Sequence, residues 1–495
     1  MRNALHMPPA LRAVALPSLL ALVLSACMAG PDYVRPELPL PSDYARASAA
    51  DATNAAAPDA AFWRAFADPQ LDALVEAALD ANHDLRIALA NYERANALLR
   101  GARFDHLPTV TASAEAADAR WSADEAPGVS RAGRDQESWR AGVSASWELD
   151  LFGRVRRGVE SRRAEAAAAA GDLAAMQVVI VGEVVRGYIE LRGAQERLRV
   201  ARANADNQRE TLALVEARFG AGRGTGYDTA RARAQLESTL ARAPALAAEV
   251  AVLQHRLAVL SGRSPDALLA DLAETGPLPA VPALPDPGSP GDLLRRRPDI
   301  AAAEHRLHAA TARIGVATAD LFPRFTLGGL IGSQAADAAM LFERDSETRL
   351  IALGIDWSFL DIGRVRARMA AAGAEAAAEL GRYEQTVLLA LEDVENALVR
   401  HARSREQDAH LQRAAEESAQ AARLAVTRFE AGAADLLDVL DSERTLLQAQ
   451  DALAQARTRT VASAAAVYRA LAGGWPQQMP AHRQVSGTAS NTASP

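Results

Sequence analysis

A single cysteine, no lysine and few aromatic residues mark this sequence of 495 residues, in which phenylalanine, tyrosine and tryptophan make up 5%. One cysteine excludes an intramolecular disulfide framework, because a disulfide needs two thiols. Arginine supplies all 54 strongly basic residues, against 62 acidic ones, for a net charge of −8. This mild acidity, without a localised basic stripe, argues against a protein that binds nucleic acid.

Motifs for catalysis are also lacking. The sequence has no phosphate-binding glycine loop, no G-x-S-x-G motif and no cysteine pair. Glu304, His305 and His308 share a predicted helix and could be imagined as metal ligands. No second ligand cluster is near in sequence, so polar residues that face solvent are the better interpretation. We expect no enzyme, no metal and no cofactor.

The N-terminus predicts export from the cytoplasm. Residues 1–26 carry two arginines and then an apolar run that ends in Leu-Ser-Ala, as a signal peptide does. Cys27 follows directly, and Leu-Ser-Ala-Cys resembles a bacterial lipobox, in which the cysteine receives lipid after cleavage. The alternative is an ordinary signal peptide with a chance cysteine. The residue after Cys27 is not acidic, which favours the outer membrane. Residues 27–60, rich in Pro, Ala and Ser, predict a lipidated, extended tether without a core of its own.

Two similar halves follow the tether. The motif Gly-Arg-Val-Arg begins at Gly153-Arg154 and again at Gly363-Arg364, 210 residues later. At both places the residue period changes from 2 to 3.6, which predicts a strand that runs directly into a helix. Similarity at several blocks indicates a tandem duplication. The predicted domains are a first repeat (61–264), a proline-rich connector (265–290), a second repeat (291–472) and a disordered tail (473–495).

Each repeat contains two segments that alternate apolar and polar residues. The alternation is clearest at 138–150, where Trp139 and Trp147 lie on the apolar face, as in a transmembrane β-strand. The alternative is an edge strand of a soluble sandwich, which the low strand content and the signal peptide disfavour. Four strands cannot close a barrel and would leave two bare edges in lipid, so copies of the same chain are expected to supply more. The predicted strands are 109–117, 138–150, 325–332 and 350–359.

Long helical segments follow each strand pair. The first, from Gly153 to about Phe219, would extend for ~100 Å at 1.5 Å per residue. The second runs from Gly363 to about Phe429 and carries apolar residues at coiled-coil spacing. Glycine-containing turns near 219–226 and 429–434 reverse the chain into return helices.

These features together carry a family resemblance. The lipobox, the duplicated Gly-Arg-Val-Arg unit, the Arg-Phe-x-Ala-Gly turns and Leu-Leu-Asp-Val-Leu-Asp-Ser-Glu-Arg-Thr-Leu (436–446) resemble the outer-membrane efflux lipoproteins of the TolC superfamily, OprM/NodT-like branch. The resemblance covers about residues 32–472. It implies an α+β membrane protein, a homotrimer in which each chain gives four strands to one twelve-stranded β-barrel and long helices to a periplasmic coiled-coil α-barrel.

The resemblance also implies a function and its partners. Such a protein is a passive exit duct in the outer membrane. A periplasmic adaptor docks it to an inner-membrane transporter, commonly of the proton-driven RND class. The alternatives are the exit duct of a protein secretion system, and a structural coiled-coil lipoprotein without a pore.

Two groups of site residues follow from the resemblance. Leu437, Asp438 and Asp441 match the periplasmic gate, where three copies of the two aspartates would form stacked carboxylate rings that favour cations. The alternative is a pair of solvated helix carboxylates. The family's polar tethers are replaced by Ala433 and Ala434, which leaves the closing contacts unassigned. The hairpin tips match the adaptor-docking surface, although glycine turns alone would explain them. The candidate docking residues are Arg218, Phe219, Gly222, Arg428, Phe429 and Gly432.

Overall fold

The computed structural model of the chain describes residues 28–45 and 61–471. The predicted signal peptide, Cys27 and the tail from 473 lie outside the described residues. The chain forms two compact units, and each unit takes residues from both repeats. The described part of the first unit is 28–37, 92–169 and 302–384, and that of the second is 38–45, 61–91, 170–301 and 385–471.

Nine α-helices and four strands make up the regular structure of the described residues. The helices are α1 (Pro69–Ala81), α2 (His83–Phe104), α3 (Arg154–Gly220), α4 (Gly226–Leu240), α5 (Arg242–Leu260), α6 (Pro290–Arg296), α7 (Pro298–Ala319), α8 (Ile362–Glu430) and α9 (Leu436–Ala470). The strands are β1 (Thr109–Arg120), β2 (Asp135–Leu149), β3 (Arg324–Ala335) and β4 (Glu347–Asp356).

The strands form one antiparallel sheet in the first unit, in the order β1-β2-β3-β4. Strand β2 joins the two repeats by pairing with β3, from Trp139 opposite Ala335 to Leu149 opposite Phe325. Among the described strands, β1 and β4 each pair on one side only, so both edges of the sheet are open. Apolar side chains also face outward, and Ile351 on β4 is 86% exposed. A sheet with open edges and bare apolar residues is incomplete as a single chain.

The ends of the strands differ from the predictions. Strands β1 and β2 continue beyond their predicted ends, because their backbone pairing runs on to Arg120 opposite Asp135, whose side chains also pair at 2.7 Å between Nη2 and Oδ2. The predicted strand 350–359 is wrong at its end, because β4 stops at Asp356 and a 3₁₀ turn covers Phe359–Asp361. Trp357 lies just beyond the strand, and its Nε1 donates a 3.0 Å hydrogen bond to the carbonyl of Leu321.

The two strand–helix junctions have different backbones. Gly153 has φ +80° and precedes α3, whereas Gly363 lies inside α8. Several residues separate strand from helix at both places, so neither strand runs directly into its helix. At the first junction the Asp150 carboxylate accepts hydrogen bonds from the backbone amides of Val155 (3.1 Å) and Arg156 (2.8 Å) and so caps α3. Position 360, at the same offset, holds a leucine.

Helices α3 and α8 have 67 and 69 residues. Val184, Tyr188 and Leu191 of α3 are at most 1% exposed and lie in the core of the second unit. Two helical stretches, in α3 and in 226–260, are long and apolar enough to span a membrane, but half of the α3 stretch is buried within the protein. The return segment after the first glycine turn is two helices, α4 and α5, divided at Ala241. Proline at 244 has no amide hydrogen for the helical ladder, which accounts for the break.

The N-terminal segment is not a free tether over residues 28–37. The backbone amide of Ala29 donates to the carbonyl of Phe152 at 3.0 Å. Arg157 of α3 is 2% exposed and binds both Asp32 (2.6 Å) and Glu160 (2.8 Å). Tyr33 stacks on the ring of His308, with the ring centroids 4.5 Å apart. The segment therefore packs on the first unit by side-chain contacts that its composition does not reveal.

Candidate functional site

Two glycine turns in the second unit have the same geometry. We name hairpin 1 the ends of α3 and α4 with the turn between them, and hairpin 2 the ends of α8 and α9 with theirs. Gly222 has φ +71° and Gly432 has φ +74°. Each glycine amide donates a 3.0 Å hydrogen bond to the carbonyl of the preceding phenylalanine, Phe219 or Phe429. The left-handed glycine lets each helix end in a tight reversal.

The surroundings of the two turns are not the same. Arg218 of hairpin 1 lies over the ring of Phe429, 4.0 Å from its centroid. Its Nη2 donates to the carbonyl oxygens of Phe429 (2.7 Å) and Glu430 (3.2 Å), which end α8. We call this contact the Arg218–Phe429 clasp. It combines a cation–π contact with a positive charge at a helix C-terminus.

The clasp separates the predicted docking residues into covered and exposed ones. Phe429 is 7% exposed, whereas Phe219 is 51% exposed. Arg428 is exposed as well and donates to the carbonyl of Ala433 in its own turn, at 3.3 Å. Sequence reasoning named all of these residues but missed that Arg218 and Phe429 contact each other. Their separation of 211 residues gives no local signal.

An apolar cluster joins the two hairpins behind the turns. Residues of α3 and α4 contribute to it from hairpin 1, and residues of α8 and α9 from hairpin 2. We call this cluster the hairpin seam, and its buried members are Val215, Ala232, Phe429, Leu436, Val439 and Leu440.

The predicted gate residues lie on the other face of α9. Leu437, Asp438 and Asp441 line one open groove of about 660 Å³ between α8 and α9. Leu437 is 47% exposed. Asp438 lies in the first turn of α9, where its Oδ2 accepts from the backbone amide of Asp435 at 3.4 Å and where a negative charge suits the helix dipole. The other lining residues are Glu417, Ser418, Ala421, Ser442 and Thr445.

The groove contains charges that sequence reasoning missed. Arg444 forms an ion pair with Asp441, with side chains that are 58% and 59% exposed. Exposed pairs of this kind contribute little stability, but they neutralise part of the local charge. Glu417 of α8 adds a third carboxylate. The spacing of three residues between Asp441 and Arg444 is a helical ion-pair signal that could have been recognised.

A buried carboxyl lies on the seam side of α9. Glu443 is 8% exposed, and its Oε1 accepts a 2.5 Å hydrogen bond from Thr211 of α3. Its Oε2 and both amide atoms of the buried Gln208 have no hydrogen-bond partner within the described residues. Burial raises the pKa of the Glu443 carboxyl. The sequence signal was a glutamate within the apolar stripe of α9.

The imagined metal ligands serve other contacts in the first unit. Glu304 accepts from the Tyr33 hydroxyl at 3.3 Å and pairs with Arg35 at 2.9 Å. His308 Nε2 lies 2.9 Å from Glu160. Over 28–45 and 61–471, no group of three His, Cys, Asp or Glu side chains could hold a metal ion.

Comparison with known proteins decides the family. The sequence matches the family described as "Outer membrane efflux protein" over residues 74–263 and 289–473. The chain belongs to the outer membrane efflux protein family. The two matched segments correspond to the two copies of the helix–strand–hairpin plan.

Members of the outer membrane efflux protein family resemble this chain over most of its length. Nodulation protein T of Rhizobium leguminosarum bv. trifolii is 33% identical over 445 residues, which is 88% of this chain and 92% of that protein. The pyoverdine export outer membrane protein OpmQ of Pseudomonas putida is 35% identical over 430 residues, 86% of this chain and 90% of that protein. The structure of the outer-membrane channel OprN superposes with a TM-score of 0.84 at 42% identity, covering 91% of this chain and 100% of that one.

These comparisons confirm the main predictions. The chain is an outer-membrane efflux channel of the OprM/NodT branch, with a mainly helical body, a periplasmic helical extension and four strands for a β-barrel. The proteins that resemble it are channel and export proteins rather than enzymes.

Proposed function

We propose that three copies of this chain assemble into one closed outer-membrane duct. The observation that carries the proposal is the four-stranded sheet, whose edge strands β1 and β4 have no second partner within the described chain. Three such sheets joined edge to edge supply twelve strands and leave no open edge in the membrane. The exposed apolar side chains of β4, such as Ile351 and Leu353, then face lipid.

The proposed duct narrows at hairpin 2. Three copies of Leu437, Asp438 and Asp441, with Glu417 beside them, surround one aperture at the N-terminal end of α9. Rings of carboxylates favour cations and repel anions. Arg444 pairs with Asp441 and reduces the negative charge of this ring. Opening of the aperture requires the hairpins to move apart, which is a change between two packings.

The two glycine turns are the proposed docking surface for a periplasmic adaptor. Backbone at 220–223 and at 430–433 is exposed at the ends of both hairpins. Gly222 and Gly432 shape these turns, while the covered ring of Phe429 is engaged by Arg218 and serves to hold the tips together. The adaptor links the duct to an inner-membrane transporter of the RND class, which delivers small organic molecules. Export of a small molecule by the similar OpmQ supports this substrate class over protein secretion.

Lipid on Cys27 is the proposed anchor. Two residues later in sequence, the Ala29 amide donates to the carbonyl of Phe152 in the short connection between β2 and α3. The described chain just after Cys27 is therefore held beside the sheet. Buried acyl methylenes contribute ~0.8 kcal/mol each, so several chains give a stable anchor.

Ion conductance in planar bilayers tests the proposed channel. We expect membrane-extracted protein to give a cation-selective conductance, and Asp438→Asn to lower the preference for cations without abolishing the channel. Glu210→Gln, an exposed carboxylate on α3 that does not line the groove, is the matched control and is expected to retain the preference. An anion-selective channel, or equal effects of the two variants, would contradict the carboxylate gate. Absence of any conductance from intact protein would contradict the duct.

A further inference from the structure

We propose that Arg428 of one chain clasps Phe219 of the next chain in the trimer. This contact repeats, between subunits, the Arg218–Phe429 clasp within each chain. The inference rests on the proposed trimer. It assigns the partner of the exposed tip residues as a second copy of the same chain.

The intrachain clasp supplies the geometric template. A guanidinium lies over a phenylalanine ring at 4.0 Å and donates to the carbonyl of the same phenylalanine at 2.7 Å. The phenylalanine belongs to the last turn of a long helix, where the carbonyl groups lack helical donors. One arginine thus satisfies a helix terminus and covers an aromatic ring at the same time.

A phenylalanine at a helix end and an arginine of the other hairpin occur a second time, as Phe219 and Arg428, and these two residues do not contact each other within the chain. Phe219 is in the last turn of α3, in a glycine turn that matches the turn after Phe429 in φ and in its 3.0 Å hydrogen bond. Yet the Phe219 ring is 51% exposed. Arg428, the repeat counterpart of Arg218, donates to the carbonyl of Ala433 in its own turn, a 3.3 Å contact that is exposed to solvent.

Threefold symmetry brings these components together. The hairpin seam shows that hairpins 1 and 2 of one chain are neighbours. In a closed ring of three chains, hairpin 2 therefore has its own hairpin 1 on one side and hairpin 1 of the next chain on the other. The two hairpins are repeats with the same turn, so the boundary between chains should resemble the boundary within a chain. Arg428 of one chain then faces Phe219 of the next chain, as Arg218 faces Phe429 within one chain.

The sequence predicts fewer apolar contacts at the boundary between subunits than at the boundary within a chain. Within a chain, α9 contributes Leu436, Val439 and Leu440 to the hairpin seam. At the repeat offset, α4 carries Gly226, Thr229 and Ala230. Small and polar residues bury little apolar surface, so the arginine–phenylalanine contact contributes a larger share of the stabilising free energy at the boundary between subunits. Loss of Arg428 is therefore expected to weaken the trimer tip, and loss of Arg218 to loosen a single chain.

Cysteine cross-linking in outer membranes tests the assignment. The variant pair is Arg428→Cys with Phe219→Cys, treated with a bis-maleimide whose spacer is as long as an arginine side chain. We expect covalent dimers and trimers on denaturing gels. The matched pair Arg218→Cys with Phe429→Cys samples the clasp within one chain. We expect its two thiols to be cross-linked to each other, so that the protein loses its free thiols but still migrates at the mass of a single chain. Each single variant retains Cys27 and serves as the background.

The outcomes separate this inference from the proposed trimer. The oligomeric mass of the same extracts is measured without cross-linker. A trimeric mass with Arg428/Phe219 cross-linking no higher than the single variants overturns the clasp and leaves the duct intact. A monomeric mass overturns both.

A second measurement avoids the cysteine substitutions. We expect Arg428→Ala and Phe219→Ala each to lower the temperature at which the trimer dissociates, and the double variant to add nothing further, because both remove one contact. Arg423→Ala, an exposed arginine on the same helix, is expected to leave that temperature unchanged. Additive effects of the two alanine variants would overturn the direct contact.

Discussion

Thr211 of α3 donates a 2.5 Å hydrogen bond to the carboxyl of Glu443 on α9, 232 residues away in sequence. This contact is buried between hairpins 1 and 2, one helical turn from the hairpin seam residues of α9. It places a buried carboxyl between the apolar residues Leu440 and Leu447 of α9, opposite a single hydroxyl donor. The second carboxyl oxygen has no partner among the described residues.

The stability of the hairpins should therefore depend on the charge of Glu443. Burial raises the pKa of this carboxyl above its ordinary value. A raised pKa in the folded state means that protonation favours folding, so this contribution is present at low pH and is lost as the pH rises through the folded pKa. We expect Glu443→Gln to raise the melting temperature at pH 8 and to have less effect at pH 4. Thermal unfolding across pH measures this. An equal effect at both pH values would contradict the buried charge.

Thr211→Val tests the hydrogen bond itself. The substitution keeps the shape of the side chain and removes the donor, so we expect a loss of about 1 kcal/mol at neutral pH. In the Glu443→Gln background the same change removes a bond between neutral groups and is expected to cost less. A double-mutant cycle by thermal or chemical unfolding gives the coupling, and a coupling of zero would contradict a direct contact.

The N-terminal segment should depend on Arg157. This side chain is 2% exposed and links α3 to Asp32 at 2.6 Å and to Glu160 at 2.8 Å. The Asp32 side chain is 85% exposed, so loss of Arg157 leaves it solvated and removes the contact that holds the segment on α3. We expect Arg157→Met to release the segment 28–37 to limited proteolysis. Arg162→Met is the control, because Arg162 is 49% exposed and pairs with Glu165 on the same helix. An unchanged cleavage pattern in both variants would show that the segment is held by other contacts.

The glycine turns should not tolerate a side chain. Gly432 has φ +74°, a conformation that L-residues adopt at a cost of roughly 1 kcal/mol. We expect Gly432→Ala to lower the melting temperature and to reduce copurification of the adaptor. Gly381→Ala is the matched control, since Gly381 is helical and a Cβ there would meet nothing within 4 Å. This control should stabilise α8 by up to about 1 kcal/mol. Similar effects of the two substitutions would contradict the special role of the turn.

The charge of the proposed gate should respond to Arg444. Because Arg444 pairs with Asp441, Arg444→Ala is expected to leave the three copies of Asp441 unpaired around the aperture of the trimer. The preference for cations should therefore increase. Ion selectivity in bilayers is the measurement. The exposed Arg457 lies outside the gate groove, and Arg457→Ala should leave selectivity unchanged. An unchanged cation preference in Arg444→Ala would place Asp441 away from the conducting path, and a reduced one would contradict the carboxylate ring.

Much of the fold follows from local patterns in the sequence. The alternation around Trp139 and Trp147 predicts β2, because a strand places every second side chain on one face. The apolar stripe of α3 and the glycine turns likewise report local backbone preferences. The repeat adds long-range information, since Trp147 and Trp357 both donate a 3.0 Å indole hydrogen bond to a carbonyl three residues before the first strand of their own repeat.

Other features depend on partners that are distant in sequence. The end of β4 at Asp356 could not be located from alternation alone, because the apolar pattern continues through Trp357 and Phe359. The clasp between Arg218 and Phe429, and the contact between Thr211 and Glu443, join residues more than 200 positions apart. Spacing within one helix carries no information about such contacts. The ion pair of Asp441 with Arg444 is different, since its helical spacing was visible.

The mass of the intact assembly tests the central claim most directly. The claim is that one chain provides a sheet with two open edges and that sister chains close it. Native mass spectrometry of protein extracted from outer membranes into detergent is expected to show three chains, close to three times the mass of the processed chain. A stable, water-soluble single chain, with its four strands still paired in one sheet and no larger species, would contradict the account.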